Sequence, residues 1–184
     1  MCLDLMEFLY RVMEELSNAS VPIVFKGAMV LNLAIRDNNP SRVERATRDI
    51  DGDWISEFPT MEEMEMALRN AVKKVDFSLD VRANRIFGER KSAGFRIINE
   101  MGEKIASIDL SVRQNRFCKS YISYVNGISI TGASLSKMLS DKIYAISGEN
   151  VCRRMKDVLD IYVISFITKI DTDELHQIWT EAGR

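Results

Sequence analysis

RDIDGDW at residues 48–54 and KIASIDLSV at residues 104–112 are the two stretches that decide the fold. In the first, Asp49 and Asp51 stand two apart. Successive side chains of a strand point to opposite faces, so these two carboxylates share one. Asp53 continues the same face unless Gly52 bends the strand away. Oxygen-rich side chains at this spacing suit a hard divalent cation, which takes carboxylate and phosphate oxygens. Alone, such a pair is unspecific, because acidic pairs are common on exposed strand ends. In the second stretch Ile108, Leu110 and Val112 form an apolar face, while Ser107, Asp109 and Ser111 form the other. Asp109 therefore points the same way as two small residues, which leaves space around its carboxylate. If the two strands are neighbours, three carboxylates converge. That is the equipment for two metal ions about 4 Å apart, clamping an in-line phosphoryl displacement.

Upstream lies VFKGAMVLN at residues 24–32. VPIVF reads as a short buried strand that ends at Lys26-Gly27, and AMVLNLAIR resumes helical character. A glycine at a strand–helix join lets the backbone approach a ligand, with helix amides aimed at it. Neither G-x-x-x-x-G-K nor G-x-G-x-x-G follows, so this is no P-loop and no dinucleotide fingerprint. By itself the glycine is an ordinary turn. Ahead of a D-x-D strand it becomes a cradle for a triphosphate.

Working outward, Leu3 to about Asn18 has helical periodicity, and Asn38-Asn39-Pro40 reads as a loop. RATRDIDGDWI is expected as a strand. Thr60 with Glu63 forms a capping box that opens a helix to about Lys74. FSLDVRANRIF, GFRIINE and KIASIDLSV are expected as strands, the last two joined around Met101-Gly102-Glu103. YISYVNGISITG reads as a strand pair with Asn126-Gly127 as its hairpin turn. After Ser134 the pattern is helical throughout: SLSKMLSDKIYAIS, NVCRRMKDVLDIYVISFI and DTDELHQIWTEA. The expected fold class is α+β, a mixed β-sheet flanked by helices (residues 1–131) followed by a helical part (132–184) packed against it.

The bulk properties fit this and exclude several alternatives. The chain has 184 residues, 46% hydrophobic and 28% charged, an ordinary globular balance with no low-complexity tract. Its apolar runs are too short to span a membrane. The N-terminal segment lacks a basic region and a cleavage site, so it reads as an amphipathic helix and not a signal peptide. Three scattered cysteines, Cys2, Cys118 and Cys152, form no C-x-x-C pair, which points to a reducing cytoplasm. The single histidine, His176, rules against His-based hydrolysis or zinc chemistry, so catalysis must rest on carboxylates and cations. Net charge is −2, but Arg82, Arg85, Arg90, Lys91 and Arg96 face only Glu89 between residues 82 and 96. Such a cluster is either a solvated face or a basic rim for a nucleotide or RNA.

The motifs KGAMVLN, RATRDID, SIDLS, LSDKIYAI and MKDVLDIYVI, in that order, resemble the nucleotidyltransferase superfamily. Within it the match is to the AbiEii-like toxins of abortive-infection, type IV toxin–antitoxin systems. That family shows K-G-G-T-x-L, then R-x-S-x-D-I-D, a lone strand aspartate, an A-x-K-L-x-A helix and an R-D-x-x-D-I/L helix. The resemblance runs from about residue 20 to 167. It implies a magnesium-dependent transfer of a nucleoside monophosphate from a nucleoside triphosphate to an RNA (notably a tRNA end) or protein acceptor. It also implies a cognate antitoxin as partner. Asp49, Asp51 and Asp109 would bind two Mg2+ ions, with Asp109 helping to activate the acceptor hydroxyl. Lys26, Gly27, Ala28 and Arg45 would lie at the phosphates, Lys142 would hold the triphosphate, and Asp157 and Asp160 would complete the nucleotide site. Asp157 and Asp160, three apart beside Arg153, Arg154 and Lys156, also fit a salt-bridged helix surface. Ala28 departs from the family's Gly or Ser, and Lys156 from its Arg, which loses bidentate geometry. Two other readings stand beside this one: a small-molecule, antibiotic-type nucleotidyltransferase, and a non-catalytic nucleotide-binding module. A decayed enzyme is expected to lose a carboxylate, and all three are present.

Overall fold

The computed structural model describes residues 4–38, 44–57, 59–87, 92–148 and 154–183. An apolar stripe gives α1 (Leu5–Asn18), which buries Phe8, Leu9, Val12, Met13 and Leu16. The β-branched run gives β1 (Ile23–Lys26), and the chain turns at Gly27 directly into α2 (Gly27–Asn38). The acidic strand is β2 (Asp49–Trp54). Next comes α3 (Met61–Val75), opened by the expected capping box of Thr60 and Glu63. Three strands follow: β3 (Asp80–Phe87), β4 (Ser92–Ile98) and β5 (Lys104–Val112). Then come β6 (Cys118–Ile122) and β7 (Ser129–Ala133). Three helices close the chain: α4 (Leu135–Ile146), capped by the Ser134 side chain, α5 (Met155–Ile167) and α6 (Thr172–Glu181).

The seven strands form one mixed sheet in the order β3-β4-β5-β2-β1-β7-β6. β2 runs parallel to β5 and antiparallel to β1, and β1 runs parallel to β7. The apolar face of the central strands, with Ile50, Phe95, Ile97, Ile108 and Leu110, is buried in one core with α1 and α3. On the other side of the chain's course, α2 meets α4 and α5, and α4 packs on α5 and α6. The helical part opens at Leu135, and the boundary drawn at residues 131/132 falls inside β7. No helix among the described residues is long and apolar enough to cross a membrane.

Two local expectations are corrected. The β6–β7 connection is not a two-residue turn at Asn126-Gly127. The strands separate after Ile122↔Ser129, and Ser123 N–H donates to Ile128 O while Gly127 N–H donates to Ser123 O. The wider loop is held by α1: the buried Glu14 accepts from both the backbone and the side chain of Asn126. The strand expected over RATRDIDGDWI is shorter, beginning at Asp49, because the backbone of Arg45 is taken by a side chain. Asn32, fully buried in α2, donates to Arg45 O (2.9 Å) and accepts from Arg45 N–H (3.1 Å). The loop expected at Asn38-Asn39-Pro40 lies partly outside the described residues.

Candidate active site

Strand parity and register bring the acids together. Asp49 pairs with Ser107, Asp51 with Asp109, and Asp53 with Ser111 across the parallel β2–β5 ladder. Residues directly opposite share a face, so the three acids of β2 and Asp109 of β5 lie on one side of the sheet. Gly52 does not bend β2 away. The strand runs through to Trp54, and the glycine is required because a β-carbon there would press on the side chains of Ile23 and Leu110.

The four acids have different surroundings. Asp53 is fully buried and satisfied by the Lys26 ammonium, by Arg113 Nε (2.8 Å) and by Asn115 Nδ2 (2.8 Å). Burial pushes its carboxyl up, but the Lys26 and Arg113 charges and hydrogen bonds outweigh this and hold it below the usual range. Asp53 is thus a structural anchor joining β1 and β2 to the segment that follows β5. Asp51 is the opposite case, pushed up to about 6. Burial is the main cause, opposed by Lys26 and Lys142 and reinforced by the like charges of Asp109 and Asp49. Asp49 is exposed and accepts from the Ser107 hydroxyl. Asp109 accepts from Arg85 Nη2 at 2.6 Å.

The backbones are in register, but the carboxylates do not gather around one point. Among the described residues no group of three acidic, histidine or cysteine side chains is assembled to hold a metal ion. Asp49 turns to the Ser107 hydroxyl and Asp109 to the Arg85 guanidinium, which relieves the like-charge repulsion each would have with Asp51. The donor set nonetheless fits a hard cation. Asp51 and Asp109 are all-oxygen ligands on adjacent strands, and the Asp51 carboxyl is raised chiefly by burial and further by the like charges of Asp109 and Asp49, which a bound cation would offset.

Asp51 lines a cleft of about 400 Å³ with Lys26, Gly27, Arg113, Asp141, Lys142, Tyr144, Arg154 and Asp157 among its walls. Gly27 has φ +71°, and any β-carbon there would collide with Asp51 Oδ2. The α2 N-terminus is therefore laid against the carboxylate. Ala28 is expected at the phosphates, but it is buried and is not among the residues that line the cleft. Lys142, on α4, is bound to Asp157 (2.9 Å) and Asp160 (2.6 Å) of α5. Asp160 is 2% exposed and also accepts from Arg45 Nη1 at 2.7 Å. Lys26, Gly27, Asp51, Lys142 and Asp157 thus share the cleft, whereas Arg45 and Asp160 stand behind it as an ion network that fixes α5 to the segment entering β2.

Sequence reading did not single out Arg85, Ser107, Arg113 or Asp141. Arg85 was visible only as part of a basic cluster, and Ser107 only as a small neighbour of Asp109. Of that cluster, Arg90 and Lys91 lie outside the described residues.

The fold is nucleotidyltransferase-like. Similar structures are JHP933 from Helicobacter pylori, at 16% identity over 84% of this chain and 61% of that one, with a TM-score of 0.54, and the nucleotidyltransferase toxin MenT4 from Mycobacterium tuberculosis, at 13% identity over 95% and 62%, with a TM-score of 0.59. An antigenic nucleotidyltransferase-like protein from Paracoccidioides brasiliensis aligns at 14% identity over 96% and 86%, with a TM-score of 0.51. The chain spans about three fifths of the length of the first two. No curated protein sequence matches it. The family model described as "Nucleotidyl transferase AbiEii toxin, Type IV TA system" matches residues 7–183, and the chain belongs to that family.

Proposed function

We propose that this protein transfers a nucleoside monophosphate from a nucleoside triphosphate to an RNA, tRNA or protein acceptor, releasing pyrophosphate, as the toxin of a toxin–antitoxin pair. The observation that carries the reading is the in-register pair Asp51↔Asp109, with Asp49 two residues before Asp51 on the same face of the sheet, where Asp51 itself lines a cleft bounded by the α2 N-terminus. Asp49, Asp51 and Asp109 would hold Mg2+, which when bound neutralises phosphate oxygens as a Lewis acid. The amides that follow Gly27 point at the phosphates, where a helix N-terminus favours negative charge. Lys142 and Arg154 line the same cleft and counter the triphosphate charge. Asp157 and Asp160 hold the Lys142 ammonium in place. Asp109, partly exposed on the neighbouring strand, accepts the proton of the acceptor hydroxyl.

The test is transfer of label from an α-phosphate-labelled nucleoside triphosphate to total RNA or lysate protein. Wild-type protein is expected to label an acceptor, and Asp51→Asn and Asp109→Asn are expected to label none. Tight nucleotide binding without transfer to any acceptor overturns the reading in favour of a binding module.

A further inference from the structure

Arg82 of β3 and Arg96 of β4 stand directly opposite each other in antiparallel register, both exposed. Among the described residues neither forms an ion pair or a side-chain hydrogen bond. Like charges directly opposite on a sheet destabilise it, so folding supplies no reason for the pair. The register continues inward: Arg96 pairs with Ser107, and Ser107 with Asp49. The neighbouring row runs from Gly94 to Asp109 to Asp51. Registered residues share a face, so both arginines lie on the sheet face that carries the carboxylates. With strands about 4.8 Å apart, the row from Arg82 to Asp49 is roughly 14 Å long. The opposite face of β3 and β4, with Val81, Phe95 and Ile97, is buried in the core where α3 packs.

We propose that this arginine row is the docking track for the phosphodiester backbone of a single-stranded RNA acceptor, which it leads toward Asp109. The inference rests on the transferase reading above and names its acceptor. A guanidinium presents a planar fork that matches a phosphate in bidentate fashion. Two such groups in line ahead of the acids call for an acceptor that carries at least two anionic groups before its reacting hydroxyl. A nucleic-acid strand has that form, and a small antibiotic-type acceptor does not.

The experiment is fluorescence anisotropy of a 5′-labelled single-stranded oligoribonucleotide, titrated over a range of salt, with wild type and Arg82→Gln/Arg96→Gln. The double variant is expected to lower the slope of log affinity against log salt by about 1.4, at about 0.7 per phosphate contact on a single strand. In the transfer assay it should raise KM for the oligoribonucleotide and leave KM for the nucleoside triphosphate unchanged. Its thermal midpoint should equal or exceed that of wild type, because a like-charge pair is removed. An unchanged salt slope overturns the proposal, as does label that appears on protein alone. The slope requires no turnover, so it decides the docking track even where transfer fails altogether, a failure that would instead sink the enzymatic reading.

Discussion

Gly27 and Asp51 are so close that a β-carbon on the glycine would occupy the space of the Asp51 carboxylate oxygen Oδ2. The glycine also holds a positive φ of 71°, which side-chain-bearing residues adopt only with strain. Gly27→Ala is therefore expected to displace Asp51 or the first turn of α2. Stability should fall by about 1–3 kcal/mol, the scale of a strained backbone position. Nucleotide affinity should fall further than that loss explains. Urea denaturation together with nucleotide titration measures both, and unchanged affinity in a folded variant would show that the α2 N-terminus does not meet the phosphates.

Asp51 makes stability depend on pH with a sign opposite to that of an ordinary ion-paired acid. Its folded carboxyl is raised from 3.8 to about 6, mainly by burial. The folded chain therefore binds this proton more tightly than the unfolded chain does. The group's contribution is fully present below pH 3.8 and is lost as pH rises through about 6. Asp51→Asn removes that loss, so above pH 6 the variant should be more stable than wild type by about 2–3 kcal/mol, at about 1.4 kcal/mol for each unit of pKa. The gap should close toward pH 4. Melts across pH 4–8 check it, and added magnesium should raise the wild-type midpoint but not the variant's.

The acids were legible because strand parity needs only local sequence: Asp49, Asp51 and Asp109 each stand in an alternating pattern. The capping box at Thr60 and Glu63 was legible for the same reason. What decides the site's electrostatics is long-range. Lys26 is beside Gly27 in sequence, yet its ammonium is taken by Asp53, which only the β1–β2 pairing brings near. Arg85 reaches Asp109 because the β3–β4 register shifts between Ala83 and Arg85, an irregularity that no periodicity announces. Asn126-Gly127 carries the strongest short hairpin signal, but a buried Glu14 more than a hundred residues earlier reshapes the loop.

Lys142 and Asp160 form a pair in which the carboxylate is 2% exposed. Removing one partner of a buried pair leaves an uncompensated charge, so Lys142→Met is expected to destabilise by about 3 kcal/mol. The family resemblance puts Lys142 at the triphosphate, which by itself implies a variant weakened in nucleotide binding. The network through Asp160 and Arg45 predicts that binding and folding are both affected. Asp160→Asn combined with Lys142→Met should recover part of the loss, a coupling of about 1–3 kcal/mol in the double-mutant cycle. Additive losses would mean that the two residues do not act together.

Arg85 is the donor that occupies Asp109, at 2.6 Å, with both side chains nearly half exposed. At that exposure the ion pair contributes at most about 1 kcal/mol to folding. Its position matters more than its strength. Gly94 lies against both partners, since a β-carbon there would come within 3.1 Å of Asp109 Oδ1 and 3.4 Å of Arg85. The glycine thus leaves just enough room for the guanidinium to lie over the carboxylate. A cation bound by Asp109 must compete with that guanidinium for the same oxygen. Arg85→Ala is therefore expected to change the melting midpoint little without magnesium. It should lower the magnesium concentration that gives the half-maximal thermal shift in the presence of nucleotide. Gly94→Ala should crowd the same pair and leave the shift weaker than in wild type. If Arg85→Ala destabilises the fold and leaves the magnesium requirement where it was, the arginine is a strut between β3 and β5, and Asp109 is not a metal ligand held in check by it.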